Sequence, residues 1–181
     1  KPLRLIGIQI YEGTHENVRK VLTPGWYPFI KCKNSDEMGV SKTVYPIVAD
    51  DGCPQDYYWI DQKRLPRISI SAIAGKNGSG KSSLVEILYR MLNNFAKELL
   101  QVEEGVDTGE VEQVYGLEAR LYFEQDGVQK FINLDDGPVT YFEVVDGQLE
   151  QIKINLLTER QRYDVLNGFF YTICVNYSLY A

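Results

Sequence analysis

The chain has 181 residues, 44% of them hydrophobic and 24% charged, enough to bury a core, which excludes wholesale disorder and fits one domain or one lobe of a larger one. A single histidine and three widely spaced cysteines exclude any site needing two His ligands, as well as a zinc ribbon or a disulfide scaffold. The net charge of −6 argues against a general nucleic-acid coat, but residues 61–97 carry a net +5 and residues 98–151 a net −12, so a polyanion would meet the first stretch and avoid the second.

No run of 18 apolar residues and no leader pattern is present, so no membrane span or signal peptide is expected. Cys32, Cys53 and Cys174 read as reduced thiols, hence a cytoplasmic protein. The chain starts at Lys1 rather than Met, which suggests a trimmed sequence.

In chain order, Leu3–Ile10 reads as a strand. Residues 12–61 are the least legible, with turns at Thr23-Pro24-Gly25 and Asp50–Pro54 and short extended pieces around Tyr27–Lys31 and Tyr57–Ile60. Arg67–Ala74 reads as a strand of small and β-branched residues, followed by a glycine-rich turn and a helix from Lys81 to Gln101. In that helix Leu84, Leu88, Met91, Leu92, Phe95 and Leu99 form one stripe of period 3.6. From 117 the period changes to two: Leu117, Ala119, Leu121 and Phe123 alternate with Glu118, Arg120, Tyr122 and Glu124. Asp126-Gly127, Asp136-Gly137 and Asp146-Gly147 recur at hairpin spacing, which predicts a four-stranded antiparallel meander over 117–154. Thr158 and Gln161 form a capping box for a short helix ending near Asn167-Gly168, and Phe169–Tyr177 reads as a last strand.

The chemistry is carried by Gly75-Lys76-Asn77-Gly78-Ser79-Gly80-Lys81-Ser82, which satisfies G-x-x-x-x-G-K-[ST]. Glycines let successive backbone N–H groups turn inward around a phosphate, and the following helix adds its N-terminal N–H groups and positive dipole end. Lys81 is expected to contact the β- and γ-phosphates, and the Ser82 hydroxyl to ligate Mg²⁺. The competing reading is a glycine-rich turn with no ligand.

With Ser83 added, the run resembles the G-x-N-G-x-G-K-S form of ABC-type ATPases and of the heads of structural-maintenance-of-chromosomes proteins. The order of elements is similar too: an early strand, irregular sequence, the P-loop and its helix, then an antiparallel acidic lobe. The resemblance is specific over residues 68–92. The long 10–68 segment and the 13 tyrosines resemble bacterial AAA/ABC-like ATP-binding proteins. The implied fold class is α/β, a P-loop NTPase N-terminal lobe with an antiparallel β meander. It divides into N-terminal strands and an irregular insertion (1–66), P-loop strand and helix (67–101), meander (117–154), and helix plus strand (158–181). The implied ligands are ATP and Mg²⁺, held by Gly75, Lys76, Asn77, Gly78, Ser79, Gly80, Lys81, Ser82 and Ser83.

A complete head of that family also carries a Q-loop, a signature, a Walker B strand and a switch His. Asn176 stands near the Q-loop position, with Asn in place of Gln; an ordinary polar residue at a strand end competes. Asp135-Asp136 and Asp50-Asp51 read as turns rather than as Walker B carboxylates. No serine-glycine-glycine signature occurs, and His15 lies upstream of the loop. The expectation is therefore the N-terminal part of a longer ATPase, with a second head as partner, turning ATP over little by itself. Tyr27, Tyr57, Tyr58 and Trp59 are candidates to stack on adenine, against ordinary packing. Lys63, Arg64 and Arg67 could touch nucleic acid, against a solvated face. Two alternatives stay open: a nucleotide-gated interaction module that binds a partner protein, and a P-loop kinase, for which only Arg160 and Arg162 resemble a basic lid.

Overall fold

The computed structural model describes residues 3–39, 42, 46–48, 50, 73–100 and 112–170. Its elements are β1 (Leu3–Ile10), a single helical turn α1 (Glu16–Arg19), β2 (Gly25–Pro28), α2 (Lys81–Leu100), β3 (Glu118–Gln125), β4 (Val128–Asp135), β5 (Val139–Val145), β6 (Gln148–Ile152) and α3 (Glu159–Phe170), with short 3-10 helices at Ser35–Met38 and Ile154–Leu156. The strands form one six-stranded sheet in the order β2-β1-β3-β4-β5-β6. Every pairing among the described residues is antiparallel. The architecture is α/β with few helices.

The predicted meander is present as β3 to β6. Its turns place Asp126, Asp136 and Asp146 at φ near +50 to +55, each followed by a glycine also at positive φ. Two successive left-handed residues match the twist of the flanking strands, and Asp-Gly supplies them at least cost. β1 joins the meander on the β3 side, pairing Ile8 with Leu121 and Ile10 with Ala119.

One face of the sheet carries the main core. Leu117, Ala119, Leu121 and Phe123 are fully buried and meet Ile87, Met91, Phe95 and Leu99 of α2. The alternation and the helical stripe are thus two halves of one interface. Asn94 sits inside it at 1% exposure. Its amide donates to the carbonyls of Val114 (2.7 Å) and Gly137 (3.1 Å) and accepts from the Val114 N–H (2.8 Å). This fastens α2 to the β4–β5 turn.

The opposite face is covered as well. Ile6, Tyr122 and Phe131 pack there against Cys32, Met38 and Ile47, so these last three residues, from sequence that carries no periodic signal, supply the second layer. Arg120 lies in that layer at 5% exposure. Its guanidinium sits over the rings of Phe131, Tyr11 and Tyr122 at 5.1, 5.7 and 5.9 Å and donates to the Tyr122 hydroxyl and the Lys42 carbonyl, both at 3.2 Å. Burial raises the Tyr122 and Tyr11 hydroxyls above their usual range.

Three expectations need correction. The extended piece placed at Tyr27–Lys31 begins earlier, as β2 at Gly25–Pro28. The last helix does not stop at Asn167-Gly168: α3 runs to Phe170, and Phe169 is buried against Phe123 and Phe95. Val165, Leu166 and Phe169 share one face at offsets 0, 1 and 4, and their packing outweighs the local stop signal. Ile73 and Ala74, the end of the strand expected at Arg67–Ala74, belong to no strand; the rest of that strand lies outside the described residues. The capping box is as expected, with Gln161 N–H donating to Thr158 Oγ1 and Thr158 N–H to Gln161 Oε1. No helix among the described residues is long and apolar enough to cross a membrane.

Replacing Asn94 by Ala strands a buried N–H and two carbonyls, and is expected to cost about 2–3 kcal/mol in urea unfolding. A change below about 0.5 kcal/mol, the size of an ordinary surface substitution, would show that α2 is not held by these bonds.

Candidate functional site

The glycine-rich segment runs straight into α2. Residues 73–79 are exposed, Gly80 is buried, and Lys81 opens the helix. Ser79 N–H closes a turn on the Lys76 carbonyl at 3.2 Å, and the first helical bond is Leu84 N–H to Gly80 carbonyl at 2.9 Å. The N–H groups of Lys81, Ser82 and Ser83 precede that bond, at the positive end of a 20-residue helix.

Gly80 holds φ +89, and a β-carbon there would fall 2.5 Å from Leu22 Cδ2 and 3.1 Å from Val21 Cγ2. The position demands glycine twice over, for its left-handed backbone and for the close approach of the α1–β2 connection. Lys81 Nζ folds back across the loop and donates to the carbonyls of Gly75 (2.7 Å) and Lys76 (2.8 Å). Ser82 is exposed at the first turn of α2, beside that ammonium in sequence, whereas Ser83 is buried. The motif residues therefore sort into an exposed cradle (Gly75, Lys76, Asn77, Gly78, Ser79), a central cation (Lys81), an exposed hydroxyl (Ser82) and two anchors (Gly80, Ser83).

The neighbouring electrostatics were not legible in the motif. Lys20, at the C-terminal cap of α1, donates to Glu86 Oε2. Arg90 binds Glu86 Oε1 through Nε (3.2 Å) and Nη2 (2.7 Å). Hydrogen bonds from Lys20 and Arg90 hold the Glu86 carboxyl below its ordinary 4.5. The Glu86–Arg90 pair has the i,i+4 spacing of a helix, but Lys20 lies 66 residues away and no spacing rule finds it.

Other candidates fall elsewhere. Tyr27 gives its hydroxyl to the Thr23 carbonyl at 2.7 Å and packs its ring on the main core. His15 caps α1, accepting from Asn17 N–H. Asp136 belongs to the turn, taking the Gly116 N–H at 2.6 Å, and Asp50 pairs with Lys31 at 2.7 Å. Arg162 is buried and donates to the Leu157 carbonyl, while Arg160 is exposed. Asp51, Cys53, Tyr57, Tyr58, Trp59, Lys63, Arg64, Arg67, Cys174 and Asn176 lie outside the described residues. Among the described residues no cluster of three or more His, Cys, Asp or Glu could hold a metal, so the Mg²⁺ expectation rests on Ser82.

A mostly apolar cavity of about 220 Å³ lies between α2 and α3, lined by Tyr89, Leu92, Asn93, Phe95, Ala96, Leu166 and Phe169. Tyr89 stands about 12 Å along the helix axis from Lys81. The cavity belongs to the packing of the two helices and not to the loop.

Because the Glu86 carboxyl is lowered in the folded chain, its contribution is full above about pH 4.5 and is lost as pH falls through the folded value. The urea-midpoint gap between wild type and Glu86→Gln is therefore expected to be widest near neutral pH and to close in acid. A gap that does not change with pH would show that the carboxylate charge contributes nothing.

Compared with protein-family models, with curated proteins and with solved structures, the chain matches none.

Proposed function

We propose that this chain binds Mg-ATP on Gly75–Ser83 and is the ATP-binding part of an ATPase similar to ABC-type and structural-maintenance-of-chromosomes heads, its fold being the N-terminal lobe of a P-loop NTPase. The observation that carries the reading is the Lys81 ammonium bridging the carbonyls of Gly75 and Lys76 at the mouth of an exposed glycine loop that leads into a buried amphipathic helix. In this reading the loop amides and the first turn of α2 bind phosphate oxygens, and Lys81 exchanges its two carbonyl acceptors for the β- and γ-phosphates. Ser82, exposed at that turn, offers its hydroxyl to the metal. Bound Mg-ATP supplies the phosphoanhydride and most of the metal's ligands. This chain's residues position it and neutralise its charge, which is the greater part of what phosphoryl transfer asks of a protein.

Turnover in this reading needs the water-orienting carboxylate and the signature, supplied by further ATPase sequence and a second head. The working compartment is the cytoplasm, where ATP is at hand and thiols stay reduced; Cys32 is free and buried, which fits.

Calorimetric titration is expected to show saturable binding of Mg-ATP, weakened at least tenfold by Lys81→Ala, with hydrolysis by the chain alone near background. Failure of the wild type to bind Mg-ATP overturns the reading, and binding that is indifferent to Lys81→Ala removes the loop as its site.

A further inference from the structure

The α1–β2 connection forms a wall of the Gly75–Ser83 loop: Val21 and Leu22 stand against Gly80. Lys20, the residue before them, adopts φ 55 and ψ −117, a combination disfavoured for any residue with a β-carbon and far from the ordinary left-handed well. Its N–H is held by the Glu16 carbonyl at 2.6 Å. Arg19 Nη1 donates to the Leu22 carbonyl at 3.1 Å, which keeps the connection tight. The effect is to send the Lys20 side chain onto α2, where it meets Glu86.

Glu86 is four residues after Ser82, so their β-carbons lie about 5–6 Å apart on one helix face. The Lys20 ammonium is thus parked one turn from the hydroxyl assigned to the metal. Two features make the parking place easy to leave. The Lys20 side chain is 49% exposed, and Glu86 keeps two hydrogen bonds from Arg90 after Lys20 departs, so no buried carboxylate is left unpaired.

We propose that Lys20 is a second phosphate-binding cation of this site, its ammonium leaving Glu86 for the terminal phosphate of a bound nucleoside triphosphate. The inference rests on the nucleotide reading above and adds to it a preference for triphosphate over diphosphate. Lys81 sits at the loop and serves both nucleotides; Lys20 reaches only the phosphate farthest toward Glu86. The same exchange loosens the α1–α2 ion pair when triphosphate is present.

The test is titration of the full chain with Mg-ATP and with Mg-ADP, for the wild type and for Lys20→Ala, Lys20→Arg and Glu86→Gln. Lys20→Ala is expected to weaken ATP about tenfold and ADP less than threefold, with Lys20→Arg recovering most of the ATP loss. Glu86→Gln, which releases the ammonium without removing it, is expected to bind ATP at least as tightly as the wild type. Wild-type binding that Lys20→Ala leaves unchanged overturns the role of Lys20 and leaves the loop reading intact. Equal losses for ATP and ADP, or a loss in Glu86→Gln matching that in Lys20→Ala, make the pair a structural tie and overturn the inference. A wild type that binds neither nucleotide overturns the loop reading and this inference with it.

Discussion

The packing of α2 on the sheet is the constraint from which the rest follows. Ile87, Met91, Phe95 and Leu99 are each at most 1% exposed, and each such side chain contributes about 1.5–3 kcal/mol relative to exposure. They fit against Leu121, Phe123, Ile132 and Tyr141 of the sheet. Rotating or sliding α2 by one residue would unseat all of them, so the helix has one register. The loop inherits it, because Ser83 and Leu84, the first buried residues of α2, stand directly behind Ser82. Leu22 belongs to the same core cluster, so the wall facing Gly80 is fixed by the interface that fixes the loop.

The second layer makes that platform stiff. A sheet with one bare face would read as clean apolar and polar alternation. In β3 the alternate positions Arg120 and Tyr122 are instead buried. Arg120 is accommodated by three aromatic rings and two hydrogen bonds. Gln9 ties the same face to the Met38 and Gly39 carbonyls at 3.3 and 2.6 Å, and Gln129 exchanges hydrogen bonds with Ile47. The irregular segment is thus held through its backbone carbonyls and N–H groups. That is how a stretch whose described residues hold only a short 3-10 helix (Ser35–Met38) can cover a sheet.

What was legible in the sequence follows from the range of each interaction. The period of α2, the Asp-Gly turns and the Thr158–Gln161 box are local, and each appears as read. The cover of the outer face depends on Cys32, Met38 and Ile47 meeting Ile6, Tyr122 and Phe131, contacts across most of the chain that no short window contains. Phe169 shows the conflict between scales: Asn167-Gly168 is a sound local stop, but Phe95 and Phe123 bury the ring beyond it. At the candidate site the same division holds. The glycines, Lys81 and Ser82 were readable because the proposed phosphate loop is built from consecutive residues. The Lys20–Glu86 pair was not, since it exists only once α1 lies against α2.

The charge distribution bears on how such a site would work in an acidic protein. The net charge of −6 and the fourteen carboxylates of residues 98–151 repel a nucleotide at long range. At physiological ionic strength the screening length is about 8 Å, so for the proposed phosphate site the charges within a turn or two of the loop would set the local field. Among the described residues those are Lys76, Lys81 and Lys20, with Glu86 paired to Lys20. Lys81 is also ordered before any ligand arrives, since two carbonyls already hold its ammonium. The side-chain entropy of a lysine, about 2 kcal/mol, is therefore largely lost on folding rather than on binding. Exchanging neutral carbonyl acceptors for anionic phosphate oxygens then strengthens each hydrogen bond without a new ordering cost. A loop pre-set in this way does not need a basic protein around it.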